Sequence, residues 1–559
     1  SLYMTGSANA TINSGGMAFY IEGGASSNIA TELSSLVGSS GSGNKLNITM
    51  NSGSNLIRWN APTGGSINLS SISSLSSSIA NVTVTGSNYN TLSINKGELV
   101  IDENVALTGT GNAYNGVEMS QSKVTLASGY NITGAFDGQI GIAQINPGTL
   151  SDVSITNNGT ITLSGKKSTG LALDHGYITN TGTIEVANPG IAGGGSLGIF
   201  SANDAVTVNN GTINVSGIES VGIYGANDFV SGTPASYGTR KIDITHNNII
   251  TLTDSKNNYG IYLNNTAVPQ SDSNLVLGSG SKIIMGNNTV TDRSIGITLK
   301  NSTLTNNGGT IEVGKNGVGI YAENSKVTGS GGVTKLLEKS VAYTLEGNID
   351  FNAAVGTVEF NGNNTTDASA IYSIGDNSGA NTLAFNTGDI KVNVTNGGIL
   401  TVGNIGKNRV LTLNNKIEVG NPSAGTITGS ILGLTESKIT LGTSSQLITE
   451  NAMTGVSAAG ASSAGGYEVT NQGKITIGKE AAGIYVSDGA EALNDSGQIT
   501  IGEKAVGMYA MTSGAASSKA VNTGLITLNG ESALGLYGKS SGTGTVEIEN
   551  TGTIVSAQD

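Results

Sequence analysis

The sequence predicts an all-β fold: a right-handed parallel β-helix, or β-solenoid, forming a rod with loop or small subdomain insertions. Three observations predict it. The phrase Asn-x-Gly-x-Ile-x-Val recurs along the chain, followed some seven to ten residues later by Gly-Ile-Tyr. Its spacing is loose, which fits fixed strands joined by turns of variable length. The composition is rich in glycine and poor in the aromatic and charged residues of a conventional globular domain.

The copies run in order. The first is 157–163 with Gly170-Leu171, followed by 180–186 with Gly198-Ile199-Phe200. Next come 209–215 with Val221-Gly222-Ile223-Tyr224, and 307–313, with one extra Gly, before Gly319-Ile320-Tyr321. Later copies are 471–477 with Gly483-Ile484-Tyr485, 497–501 with Gly507-Met508-Tyr509, and 522–528 with Gly535-Leu536-Tyr537. A last one, 550–554, stands at the end of the sequence. Gly159 to Gly182 is 23 residues, Gly182 to Gly211 is 29, Gly473 to Gly497 is 24 and Gly497 to Gly524 is 27.

Within a unit, Thr183-Ile184-Glu185-Val186 alternates polar and apolar, the two-residue period of a strand with one buried face. Two short strands and their turns fit one coil of about 25 residues, with neighbouring coils about 4.8 Å apart. Roughly 20 coils make a rod on the order of 100 Å. Ile161, Ile184, Ile213, Ile311, Ile475, Ile499 and Ile526 hold the same place in the repeat and are expected in one buried column. Asn at the head of the repeat can stack rung upon rung through its side-chain amide.

Four stretches differ in regularity. Residues 1–150 are an irregular β-rich part with insertions, with strand-like pieces at 46–50, 81–85, 92–94 and 123–126. Residues 151–325 carry regular repeats, 326–467 degenerate coils with insertions, and 468–559 regular repeats again. The Ser-rich stretches 25–43 and 70–80 suit short helices or loops. Candidate protrusions are 187–197, 226–241, 263–275, 329–346 and 455–467, and 335–341 has the best local helical pattern in the chain. Both ends fall inside the pattern, so the sequence reads as a piece of something longer.

Composition excludes several functions. The net charge is −13 and the 22 Lys and four Arg are scattered singly, which argues against nucleic acid or an anionic membrane as partner. No apolar run is long enough for a transmembrane helix. Cysteine is absent, and no leader segment opens the chain.

The repeats resemble the passenger region of large type V autotransporter adhesins. They are most similar to the giant fusobacterial outer-membrane adhesins, which include galactose-binding and arginine-inhibitable members. The resemblance rests on 151–325 and 468–554. It implies an extracellular rod held at the bacterial surface by a C-terminal β-barrel outside this sequence. Its implied partners are host-cell glycans, receptor proteins and other bacteria. No family binding residue carries over, because the matching positions are coil positions.

The residues themselves offer few chemical constellations. His175 and His246 are expected at solvated turns, and no carboxylates align with them to make a zinc site. The glycine-aspartate nonapeptide of calcium-binding β-helices is absent. No metal or other cofactor is expected. The tyrosines at 224, 262, 321, 485, 509 and 537 share one phase, as a packing ladder or as a platform for sugars. Candidate partner contacts are Arg58, Trp59, Tyr89, Phe229, Tyr237 and Arg240, with Trp59 open to a core role instead. The expected function is adhesion by a non-enzymatic monomer. The alternatives are a structural spacer of a longer adhesin and a β-helix polysaccharide-degrading enzyme, which needs carboxylates clustered in one groove.

Overall fold

The structure, a computed structural model, describes residues 8–557 apart from 23–45, 52–53, 61–64, 71–79, 85–89, 108–113, 147–152, 189–194, 228–240, 254–255, 266–272, 290, 363–367, 378 and 380. Strands dominate it, and they pair in parallel with the chain winding on between partners. The fold is a parallel β-solenoid. It divides into two compact units, 1–281 and 282–559.

In the first unit each coil carries three strands, where the sequence suggested two. Ser154–Asn157, Gly176–Asn180, Ala205–Asn209 and Asp243–His246 form the first face. Thr160–Leu163, Thr183–Asn188, Thr212–Gly217 and Ile249–Leu252 form the second. Thr169–Leu173, Leu197–Ala202, Val221–Ala226 and Tyr259–Asn264 form the third. The strand missed in the sequence is the first, a four- or five-residue piece ending on the repeat's Asn, which has too few residues to show alternation by itself. In the irregular N-terminal part, Leu46–Met50, Ala80–Val84, Asn90–Asn95 and Lys123–Leu126 are strands where strand-like pieces were expected. Leu69 and Ser70 take a helical conformation at the border of the Ser-rich 70–80, and the rest of that stretch lies outside the described residues.

The core is a set of columns. Ile161, Ile184, Ile213 and Ile250 stand in register on the second face, each 0% exposed. Leu171, Ile199, Ile223 and Ile261 do the same on the third. Burying each such side chain contributes about 1.5–3 kcal/mol, and every coil shares the burial with its neighbours. The Gly-Ile pair follows from this packing. A Cβ on Gly198 would sit 2.5 Å from the Gly222 carbonyl oxygen and 3.0 Å from Cγ2 of Ile213, so glycine is required where two coils meet most closely.

Polar ladders line the corners. Asn157 Nδ2 donates to Asn180 Oδ1 at 2.7 Å, and Asn180 Nδ2 to Asn209 Oδ1 at 2.6 Å, all three side chains fully buried. The buried amides satisfy one another, which removes the cost of an unpaired polar group inside the rod. At the corner between third and first faces, Asn203 Nδ2 donates to Asp174 Oδ1 at 2.7 Å, and Asn227 donates to Asn265.

The second unit repeats the design. Leu447, Ile475, Ile499, Ile526 and Ile554 stand in register, and Asn471, Asn494, Asn522 and Asn550 form a second amide ladder with 2.7 Å steps. Ile311, the remaining expected member of the column, is buried between Ile283 and Val333. The extra glycine after Asn307 is absorbed as a bulge in the long strand Thr303–Val313, where Asn306 takes the buried position. Residues 326–467 continue as coils. The protrusion expected at 329–346 and the helix expected at 335–341 are both strand, within Lys326–Leu337 and Val341–Glu346. Leu336 pairs in register with Phe360, and stacking between coils overrides the local helical pattern.

One face of this unit is interrupted. Leu383–Asn386 pairs with Ile349–Ala354 of the coil before it, and Val410–Leu413 opens a separate six-stranded sheet, with no ladder between Leu383–Asn386 and Val410–Leu413. Tyr343 and Tyr372 replace aliphatic residues in the adjacent core, 5.3 Å apart and stacked, with Phe351 and Phe385 packed edge-on against Tyr372.

Candidate partner-binding surface

The described outer surface is built of small polar columns. Thr160, Thr183 and Thr212 lie in register on one face of the first unit, and Thr476, Thr500 and Thr527 in the second. Glu312, Lys335 and Glu359 alternate in charge up one column. Burial would raise the Glu312 carboxyl, but Lys282 at 2.7 Å and Lys335 at 3.0 Å hold it below the usual carboxylate range.

The tyrosines divide. Phe200, Tyr224 and Tyr262 stack face to face at 5.9 and 5.3 Å, with Tyr259 edge-on to Tyr262 at 5.4 Å. Tyr485 meets Tyr509 edge-on at 5.2 Å, and Tyr509 lies tilted against Tyr537 at 5.0 Å. The hydroxyls of Tyr485 and Tyr509 both point to Met511 Sδ, at 3.4 and 3.8 Å. Tyr321 stands between Thr298 and Thr344 and extends neither group. Rings that spend their faces on each other stabilise the coil stack by about 0.5–1.5 kcal/mol per pair, and leave mostly edges for a sugar.

Of the candidate contacts, Arg58 is exposed, one rung from the half-exposed Tyr20. Trp59 is 0% exposed. Strand alternation turns Arg58 out and Trp59 in, so Trp59 is a core anchor and not a surface contact. Tyr89, Phe229, Tyr237 and Arg240 lie outside the described residues.

Three segments outside the described residues fall, in sequence, between a third-face strand and the next first-face strand of the first unit. The third-face strand Gln139–Asn146 is followed by 147–152, Val221–Ala226 by 228–240, and Tyr259–Asn264 by 266–272. The described strands that follow them, Ser154–Asn157, Asp243–His246 and Asn274–Leu277, all belong to the first face. The segment 228–240 carries Phe229, Tyr237 and Arg240.

Both histidines correct the sequence expectation of solvated turns. His175 is 8% exposed, because Gln144 Oε1 accepts the backbone N–H of both Asp174 and His175, at 2.9 and 3.0 Å, and folds that corner shut. His246 is 0% exposed and occupies the asparagine position of the first ladder, its Nδ1 2.9 Å from Asn209 Nδ2. A polar residue beside a turn ordinarily signals exposure. In a solenoid the turn itself is stacked.

Buried charges are tied into the scaffold. Glu468 accepts the backbone N–H of Ser462 and Glu491, at 2.8 and 2.7 Å. Glu338 pairs with Lys315. Arg409, 1% exposed, donates through Nε to the Gly375 carbonyl at 2.9 Å and through Nη2 to those of Gly347 and Asp376, at 3.3 and 3.5 Å. It ties together corner carbonyls that follow the strands Val341–Glu346 and Ala368–Ile374, just ahead of the strand Val410–Leu413. Burial pushes the nearby Glu346 carboxyl upward and the Arg409 charge partly offsets this. This Arg409 role went unread in the sequence, where four scattered arginines gave no signal. Beside the interruption an internal cavity of about 20 Å³, lined by Tyr372, Phe385, Leu411 and Leu413 among others, has room for a single water.

Among the described residues no group of three or more His, Cys, Asp or Glu is placed to hold a metal ion. No helix among them is long and apolar enough to cross a membrane. No known protein family, curated protein or solved structure matches the chain.

Proposed function

We propose that the chain is passenger material of a bacterial surface adhesin: a non-enzymatic β-solenoid displayed outside the cell that attaches it to host glycans, receptor proteins or partner bacteria. The carrying observation is the parallel β-solenoid built by these repeats, with 147–152, 228–240 and 266–272 each lying in the sequence between a third-face and a first-face strand. A solenoid that places insertions along one edge can present them together, and binding energy concentrates in aromatic and Arg anchors such as those in 228–240 rather than in Thr columns. The resemblance of the repeats to autotransporter passengers supports the same reading. Arg409 and Glu346 stand near one another, but Arg409 is buried and donates to three carbonyls. Incubation with host and bacterial polysaccharides is expected to release no products. Depolymerisation abolished by a single carboxylate substitution overturns this reading.

The second reading is a spacer that holds a binding tip elsewhere. The inward Trp59 and the self-packed tyrosines favour it, since both remove large aromatics from the surface. A glycan array and cell-binding assays on the full chain distinguish the two: an adhesin binds, a spacer does not.

A further inference from the structure

At one step of the second unit two coils meet with a ladder missing. Leu383–Asn386 and Val410–Leu413 are unpaired with each other, while the strands that follow them still pair, Ile390–Val394 with Lys416–Val419 and Asn396–Ile405 with Ala424–Thr435. Both ends of the step are pinned. The Asn377 N–H donates to the Lys407 carbonyl at 2.8 Å at one corner, and the Lys416 N–H to Asp389 Oδ1 at 2.8 Å at the other. Two strand edges thus face each other, held at their ends and unbonded between.

Within a parallel sheet each residue turns its N–H and C=O toward one neighbouring strand, and the next residue turns its own toward the other. The Ile349 N–H bonds the Thr382 carbonyl, so by register Ala384 faces Ile349–Ala354, and Leu383 and Phe385 face the gap. The Lys438 N–H bonds the Arg409 carbonyl, so Leu411 faces Lys438–Leu441, and Val410 and Thr412 face the gap.

The cavity of about 20 Å³ lies against this gap, lined by Phe385, Leu411, Thr412 and Leu413. The Thr412 side chain is exposed on the outer surface, so its backbone is the part that reaches inward. Tyr372 lines the same cavity at 2% exposure, and its hydroxyl makes no hydrogen bond of normal geometry among the described residues. Thr387 is a neighbour there, but its hydroxyl already donates to the Gly388 carbonyl at 3.0 Å and accepts from Asn415 Nδ2 at 2.8 Å. It has no donor left for the Tyr372 oxygen.

We propose that one ordered water binds here, between Tyr372 Oη and the backbones of Phe385 and Thr412, and stands in for the missing ladder. The space suits it, since about 10–15 Å³ of cavity holds one water. The partners suit it as well. A buried water typically makes about three hydrogen bonds, and this site offers a hydroxyl and two backbone groups. Left dry, these groups would forfeit the hydration they had in the unfolded chain, which costs more than immobilising one water. An apolar occupant would satisfy none of them.

Crystallography of the full chain, at a resolution that shows ordered water, tests this on wild type, on Tyr372→Phe and on a wild-type crystal under xenon pressure. The wild type is expected to show one water within hydrogen-bond distance of Tyr372 Oη and of the Phe385 or Thr412 backbone, undisplaced by xenon. Tyr372→Phe is expected to lose that water. A dry cavity in the wild type overturns the proposal, as does xenon filling it. Residue-resolved amide exchange gives a second reading in solution: Phe385 and Thr412 should exchange faster in Tyr372→Phe than in wild type, with Ala384 and Leu411 unchanged. Equal exchange of Phe385 and Thr412 in the two proteins also counts against it. Should the variant fail to fold, the wild-type map and its xenon arm decide the matter alone.

Discussion

A Cβ on Gly483 would lie 2.6 Å from Cγ2 of Ile499 and 2.6 Å from the Gly507 carbonyl oxygen. The glycine of Gly-Ile-Tyr and the isoleucine of the following Asn-x-Gly-x-Ile are thus one contact between successive coils. The same pairing joins Gly507 to Ile526 and Gly455 to Ile475, at 2.8 Å in both cases. The repeat is the linear trace of that contact.

Gly483→Ala is therefore expected to cost about 1–3 kcal/mol through overpacking, despite being a single methyl. Ile499→Ala removes the side-chain half of the clash and leaves the carbonyl, so the double variant should be less unstable than the sum of the two. Urea unfolding of the four proteins measures the coupling. Strict additivity would deny that the two residues share a contact.

Asn180→Ala removes a donor and an acceptor at once, leaving the fully buried Asn157 and Asn209 each short of a partner. The expected loss is on the order of 3 kcal/mol. Exposed Asn210, one residue beyond the ladder, is the control, and Asn210→Ala should change little. Thermal unfolding compares them.

Arg409 ties the Gly347, Gly375 and Asp376 carbonyls together beside the interrupted face of the second unit, and a lysine has one point charge where Arg409 uses two nitrogens on three carbonyls. Arg409→Lys and Arg409→Met should both destabilise, by about 2 kcal/mol or more, with lysine rescuing little. Amide exchange in 383–386 and 410–413 should rise first. Exchange unchanged in those strands contradicts the bridging role.

Glu312 sits between two lysines with its carboxyl lowered in the folded state from the ordinary 4.5. A lowered carboxyl contributes stability above the unfolded value, and loses it as pH falls through the folded one. Glu312→Gln should cost about 1 kcal/mol or less at neutral pH, less still in high salt. The difference from wild type should vanish in acid. A salt-independent difference contradicts an ionic origin.

The repeat made most of the fold legible. Ile161 through Ile526 are buried as their shared phase implied, and the asparagine stacking followed from one residue type at one corner. What escaped had physical reasons. The first-face strand, as in Ser154–Asn157, is four residues long and merges with the turn that follows. Residues 335–341 have helical spacing, yet Lys335 and Leu336 pair with Glu359 and Phe360 of the next coil, a contact no local window contains. His175 and His246 looked exposed because a turn in a globular protein faces water, whereas here it faces another turn. The candidate surface was least legible. Alternation places Arg58 outward and Trp59 inward once the strand Asn55–Asn60 is known, but Leu56 and Ile57 side by side do not set that phase in the sequence.

The most direct test of the adhesin account is binding of the full chain to epithelial cells and partner bacteria, measured against a variant carrying Phe229→Ala, Tyr237→Ala and Arg240→Ala. The account predicts that the wild type binds and that the triple variant, with an unchanged thermal transition, loses at least tenfold in affinity. Undiminished binding by the triple variant, together with loss on substituting the outward Thr476, Thr500 and Thr527, would contradict it.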